Sequence, residues 1–429
     1  MSETVLRAGF VALDITPPLG VCLAGHFNVR HASGIHDPLT AQIVVLELGG
    51  SRLAMVGTDL IGVSAPLTAT VRERVHAATG LPPEHLMLWA THTHAGPAVH
   101  PVFDEPPDEQ YLAVLASQLA GGVMAALERL QPAALRVAWG REGRIAHNRR
   151  YRLKDGSVRT NPGVGNPEVA AVDGPTDPTV GALFVDTAEG LGAAIVNYAC
   201  HLDVLGNGNF LLSADYPYYL RETLKAAFGR PLVIAFANGP CGNINHIDVF
   251  ANRRQGGYDH AQMMGRMLAG EVLKIEPWAK ALEVSELWGR SRVLELPRRP
   301  YSEAELAEFR RVLGDDRIAD TAYAKVRART HLALHERGEA SAPVEVQALR
   351  IGDLAVLGFP AEYFVEYGLE LRERSPVPHT LVVELANDAI GYVPTPQAFD
   401  EGGYEGTSAR FGRDTGPRLA EAALELVAG

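Results

Sequence analysis

Two histidines, His92 and His94, lie two residues apart in the run Thr91-His92-Thr93-His94-Ala95-Gly96-Pro97. Imidazole is a metal ligand when neutral and a proton carrier near neutral pH. The run follows the apolar stretch Leu86–Ala90, and residues two apart on an extended chain point to one side. Both rings are therefore expected on one face at the carboxyl end of a strand, where open α/β sheets place their sites. A hydrogen-bonded pair that only shapes a loop is the plainer alternative. A third histidine leaves a strand in the same manner, in Cys200-His201-Leu202-Asp203 after the apolar Ala193–Tyr198. A single histidine there would more often be a satisfied interior residue, and the recurrence favours function. Ser213 and Asp215, which follow, read as helix caps.

The third segment is the Gly- and Asn-rich Asn238-Gly239-Pro240-Cys241-Gly242-Asn243, at the exit of another apolar strand. Small residues let backbone approach a ligand and present N–H donors, so Asn238, Gly239, Cys241, Gly242 and Asn243 form a candidate substrate-binding or oxyanion loop. An ordinary tight turn with Cys241 as an inert buried thiol is the alternative. Glu362 follows the apolar Leu354–Phe359 at the expected start of a helix, where a carboxylate also simply suits the helix dipole. Tyr392 stands in Asn387-Asp388-Ala389-Ile390-Gly391-Tyr392-Val393, with Tyr404-Glu405-Gly406 beyond it. Alone, Tyr392 reads as packing.

Strands and helices alternate along the whole chain around these segments. Strands are expected at Leu53–Gly57, Leu86–Ala90, Ala182–Val185, Ala193–Tyr198, Leu232–Phe236 and Thr380–Leu385. A hairpin is expected from Val346–Leu349 and Leu354–Phe359. Helices are expected from Ser64 to Gly80, over Asp108–Leu130, Tyr216–Phe228 and Tyr258–Ile275, and over Ala361–Arg374. The stretch Ser302–Gly338 reads as a helical insert. Arg149–Val180 is the least regular part and reads as a long loop. The pattern implies a mixed α/β fold, with mixed β-sheets layered with helices.

The chain has 429 residues, 47% hydrophobic, enough for a sizeable core. Its formal charge of −12 opposes nucleic-acid binding, which needs clustered Lys and Arg. No basic-then-apolar leader opens the sequence and no uninterrupted apolar run is long enough to span a bilayer. Three cysteines, Cys22, Cys200 and Cys241, are too few for a disulfide framework. A cytoplasmic protein without membrane insertion is the resulting expectation. Oligomeric state is not legible.

Taken in order, with the opening Asp14-Ile15-Thr16-Pro17, these segments resemble the catalytic domain of the neutral/alkaline ceramidase family from Gly9 to Gly406. The resemblance implies a single catalytic domain over 1–429, with a possible insert at 302–338, and one Zn2+ per chain. It implies metal ligands at His92, His201, Glu362 and Tyr392. It implies catalytic roles for His94 beside the metal, for Tyr392 and for Arg149, the last holding a substrate oxygen. The reaction implied is hydrolysis of an amide C–N bond by metal-activated water. Three departures bear on the substrate. No length remains for the family's C-terminal immunoglobulin-like domain, no export signal is visible, and the family's active-site serine aligns with Gly239. A small soluble N-acyl compound or lactam is therefore expected. The alternatives are a ceramidase acting on N-acylsphingosine, a metal-dependent esterase or lactonase, and a metal- or ligand-binding protein without catalysis.

Overall fold

Residues 5–102 and 105–429 are described by a computed structural model of the chain. The first four residues, read above for an export signal, lie outside them. The apolar stretches build a nine-stranded sheet. From one edge to the other its main path runs Val233–Asn238, Gly190–Tyr198, Thr179–Thr187, Gln131–Arg141, Arg7–Asp14, Thr40–Leu48, Ser51–Thr58 and Leu86–Ala90. The middle pairs are antiparallel, whereas the pair at each edge is parallel. A parallel pair needs a crossover, and a helix provides each one. Helix α1 (Ala65–Thr79) joins Ser51–Thr58 to Leu86–Ala90. Ser64 caps α1 through the Leu67 N–H, and Gly80 ends it at φ 72°. Helix α2 is Glu109–Glu128, and α3 (Tyr216–Phe228) joins Gly190–Tyr198 to Val233–Asn238.

The two edges meet. Trp89, fully buried, donates its indole N–H to the Phe236 carbonyl at 2.9 Å, and the Asn238 amide donates to the Thr91 carbonyl at 3.2 Å. A further bridge links Thr93 to Leu202. This closure brings the loop after Leu86–Ala90 against the loops after Gly190–Tyr198 and Val233–Asn238.

A second sheet orders Leu287–Pro297, Ser341–Ile351, Leu354–Gly358 and His379–Val383. Its inner face (Leu349, Val356, Leu381 and Val383) packs on Met55, Met87, Trp89 and Ile195 of the first. Helix α4 (Tyr258–Ile275) packs along α3, covering the first sheet. The insert is a pair of helices, α5 (Glu303–Leu313) and α6 (Tyr323–Glu336), placed between the antiparallel strands Leu287–Pro297 and Ser341–Ile351. It has its own small core of Leu306, Phe309, Val312, Ala328 and Leu332. Helix α7 (Val365–Arg374) crosses over from Leu354–Gly358 to its parallel neighbour His379–Val383.

Three expectations are corrected. Glu362 does not open a helix. It lies on the short strand Glu362–Tyr363, paired in parallel with Tyr392–Val393, and α7 begins only at Val365. Arg149–Val180 is not a loop throughout: Arg150–Leu153, Val158–Thr160 and Val169–Val172 form a small sheet. Helix α2 is long and apolar enough by composition to cross a membrane, with a mean hydropathy of 1.4. Its Leu115, Leu119 and Val123 are fully buried against Val11 and Ile43, as in a core helix.

Candidate metal centre

All four residues expected as ligands come from segments that follow parallel strand pairs at their carboxyl ends, Glu362 and Tyr392 on a short paired strand of their own. His92 follows Leu86–Ala90 and His201 follows Gly190–Tyr198. Glu362 follows Leu354–Gly358, and Tyr392 follows His379–Val383. The approach of His92 differs from the extended geometry expected. Its backbone sits at φ 76°, a strained conformation for a non-glycine residue, of the kind found at functional sites. The ring nevertheless reaches its neighbours. The Nε2 atoms of His92 and His201 lie 3.1 Å apart, and that of His94 lies 3.2 Å from that of His92. Glu362 Oε2 is 3.5 Å from His92 Nε2 and 3.3 Å from His201 Nε2.

The backbone fixes which nitrogens face inward. His92 Nδ1 lies 2.7 Å from the Ile61 carbonyl, and His201 Nδ1 lies 3.0 Å from the Cys241 carbonyl. A carbonyl only accepts, so each Nδ1 carries the proton and each Nε2 presents a lone pair to the centre. Lone pairs converging beside a buried carboxylate oxygen with no hydrogen-bond donor of its own repel one another unless a cation joins them. Nitrogen, nitrogen and oxygen donors at this spacing fit a divalent metal of the zinc type. Burial brings His201 down to about 4, reinforced by Arg149 and His92, so this ring is neutral and ligand-ready. Burial opposes ionisation of Glu362, but the adjacent His201 and His92 imidazoles favour its charged form and hold its carboxyl well below the usual range.

Tyr392 is buried with its hydroxyl in contact with Glu362. Burial raises its pKa well above the ordinary value, so the phenol keeps its proton in the absence of a metal. The Arg149 guanidinium lies over the Tyr392 ring, 5.4 Å from its centroid. Its Nε donates to Glu405 Oε1 at 2.8 Å and its NH2 donates to the Gly242 carbonyl at 2.6 Å. Arg149 is thus committed to holding Tyr392 and the loop behind it.

His94 is placed as expected, beside the histidine pair, and it also belongs to the cluster able to ligate a metal. Its Nδ1 lies 3.8 Å from Asp203 Oδ1, which is itself 3.2 Å from His26 Nε2. Gly25, at φ 97°, lets the chain pass over this ring; a Cβ there would come within 2.5 Å of His94 Nδ1. His26, Gly25 and Arg410 were not singled out from sequence, because isolated loop residues carry no periodicity or motif.

The expectation for the loop 238–243 changes. Its N–H groups are already spent: Gly239 donates to Tyr198, Cys241 to Glu384 and Gly242 to Tyr363. Asn238 Oδ1 accepts from Cys200, and Asn243 Oδ1 accepts from Val365. The whole segment is buried. It stands behind His201, Arg149 and Glu362 and positions them, and it offers no oxyanion donor at the cavity. Gly242 is required there, since a Cβ would meet the Glu362 carbonyl at 2.4 Å. The Cys241 thiol donates to Glu384 Oε1 at 2.8 Å, and burial drives its pKa well up, as an inert thiol requires.

Glu384 yields a pH prediction for the metal-free protein. Burial raises its carboxyl to about 7 from an ordinary 4.5, against a lowering by His92. A raised folded pKa contributes stability that is complete below the unfolded value and lost as pH climbs to the folded one. Between pH 4.5 and 7, Glu384 therefore withdraws on the order of 3 kcal/mol, at 1.36 kcal/mol per unit. Glu384→Gln is expected to flatten this limb of the stability–pH curve, measured by denaturant unfolding with chelator present.

The centre opens into a cavity of about 420 Å³ walled by His92, His94, Glu362, Tyr392 and Tyr404, with Val326 and Thr330 of α6 opposite. A larger cavity of about 890 Å³ lies elsewhere, around Arg150, Asp173 and Glu401, and those charges pair with one another. The histidine cluster lines the smaller one.

A mixed α/β scaffold whose parallel pairs deliver His, His and Glu to one buried point has the fold of the ceramidases. Solved structures share it. They include a ceramidase complexed with C2, at TM-score 0.79 and 22% identity over 99% of this chain and 75% of that one, and the neutral ceramidase from Pseudomonas aeruginosa, at TM-score 0.76 and 22% identity over 100% and 75%. In sequence the chain is 24% identical to the neutral ceramidase of Pseudomonas aeruginosa over 95% of its own length and 69% of that protein. A segment of 76 residues is 40% identical to the neutral ceramidase of Mycobacterium tuberculosis, covering 16% of this chain and 12% of that protein. No family model matches the chain. The expected resemblance to the neutral ceramidases thus holds over nearly the whole chain.

Proposed function

We propose that the protein is a metal-dependent hydrolase that cleaves the C–N bond of an amide. The observation that carries this reading is the convergence of His92, His201 and Glu362, with both histidines locked in the tautomer that aims Nε2 inward. These three side chains would hold the ion and the Tyr392 hydroxyl would complete the set. The ion, zinc by ligand type, would supply Lewis-acid polarisation and an activated water. In the net reaction the water oxygen bonds to the carbonyl carbon, the C–N bond breaks, and a proton must reach the leaving nitrogen.

His94 would deliver that proton. Its Nε2 faces the cluster, and Asp203 and His26 stand behind its Nδ1. Arg149 keeps Tyr392 in place by packing on its ring, and Tyr404 closes the other side at 5.2 Å between centroids. The helical insert, through Tyr323, Val326 and Thr330, roofs the cavity and limits what enters. That roof and the modest cavity favour a small N-acyl compound as substrate. The names of the relatives favour the other reading, that N-acylsphingosine itself is cleaved.

A matched series decides between them. The purified protein, loaded with zinc, is assayed on N-acyl amines of increasing chain length and on N-acylsphingosine in detergent. Preference for short chains supports the small-substrate reading, and preference for N-acylsphingosine supports the ceramidase reading. Absence of turnover on every amide contradicts both.

A further inference from the structure

We propose that His26, His94 and Asp203 form a second metal site, for a divalent cation of the zinc type, beside the first. None of the three belongs to the set His92, His201, Glu362 and Tyr392, so the proposal goes beyond the hydrolase reading and does not depend on it. His26 Nε2 lies 3.2 Å from Asp203 Oδ1, and His94 Nδ1 lies 3.8 Å from the same oxygen. Ligands at the corners of a tetrahedron around zinc stand about 3.3 Å apart, given bonds of about 2.0–2.1 Å. The three side chains each turn one donor atom to a common point, all within 4.8 Å of one another. Each of these atoms is buried, and none has a hydrogen bond of proper geometry among the described residues. Buried polar atoms without partners cost free energy, and one cation would satisfy all three together. Two histidines and a carboxylate with open positions are a donor set that transition ions accept.

The backbone builds this arrangement. A parallel bridge between Thr93 and Leu202 sets His94 and Asp203 side by side, and the His94 N–H donates to the Leu202 carbonyl at 3.0 Å. The loop that carries His26 is tied to the same place, where the Ala24 N–H donates to the Gly96 carbonyl at 3.2 Å. Arg30, fully enclosed, joins the two loops by donating to the Ala24 carbonyl at 2.7 Å and to the His94 carbonyl at 2.8 Å. Its charge acts on Asp203, but its other terminal nitrogen is also spent on backbone, the Asn209 carbonyl at 2.7 Å. His26 and His94 both line the cavity of about 420 Å³, which gives an ion its way in. The Asp203 side chain is 35% exposed, and three protein ligands hold the ion instead of four. This site is therefore the weaker of the two and fills when the ion is supplied in excess. With Nδ1 engaged, His94 keeps its ring proton on Nε2, which faces the first centre.

The test is a calorimetric zinc titration of the purified protein already loaded with one equivalent. The wild type is expected to bind a second equivalent. His26→Ala and Asp203→Asn are each expected to keep the first equivalent and to weaken the second at least tenfold. His92→Ala is expected to do the reverse, so failure of the hydrolase centre and failure of this site are read separately. Zinc stoichiometry and affinity that are the same in the wild type, His26→Ala and Asp203→Asn overturn the proposal. Should either of these two variants unfold, judged by circular dichroism, wild-type crystals grown with excess zinc decide. An anomalous peak at the zinc edge between His26, His94 and Asp203 supports the site, and its absence overturns it.

Discussion

Alanine at His201 is expected to lower amide hydrolysis by about a thousandfold or more. Lewis-acid stabilisation is worth several kcal/mol, and each 1.36 kcal/mol is a factor of ten in rate. The loss should be in kcat, because the residue touches the reacting centre and not the cavity walls that bind the rest of the substrate. His201 is almost fully enclosed and held from behind by the Cys241 carbonyl at 3.0 Å. Steady-state kinetics with added zinc test this. Recovery of wild-type turnover at saturating zinc would remove His201 from the ligand set.

The second large effect is on stability. Glu405 is fully buried and is shared by Arg149 at 2.8 Å, Arg150 at 3.2 Å and the Thr160 hydroxyl at 2.7 Å. Removing one partner from a buried ion pair leaves an uncompensated charge and costs about 3–5 kcal/mol. Glu405→Ala strands the Arg149 guanidinium, whereas Arg150 keeps Asp173 and Glu401, and the loss is expected to fall within that range. Arg149 would also lose the Nε contact that seats it over Tyr392, so turnover should fall in the fraction that stays folded. Denaturant unfolding measures the first effect. A loss below about 1 kcal/mol would show that the network is not holding the site.

Much of the framework was legible in sequence because it is local. The strand Leu86–Ala90 and the helices Tyr216–Phe228 and Tyr258–Ile275 have the expected bounds, set by apolar periodicity and by Gly229 after the first of these helices. His92 and His201 were legible because each follows an apolar strand, whereas Glu362 and Tyr392 entered the ligand set only through the resemblance. The misreadings were non-local. Glu362 looked like a helix start because the dipole argument sees one turn, whereas its strand exists only through pairing with Tyr392–Val393. Val169–Val172 is mostly exposed and leaves no alternation to detect. The loop 238–243 has the composition of a ligand-facing turn, and only its hydrogen bonds show that its donors are spent. The extended geometry assumed for His92 failed at φ 76°, although the expected convergence with His94 held.

The measurement closest to the central claim is the metal content of the purified protein, by mass spectrometry, for wild type and His92→Ala side by side. His92 is the residue that touches both His201 and His94 through one nitrogen. The account predicts close to one zinc per chain in the wild type and little or none in the variant, with both proteins folded by circular dichroism. A wild type that neither contains nor takes up a divalent ion, or a His92→Ala variant that retains the full complement, would contradict it.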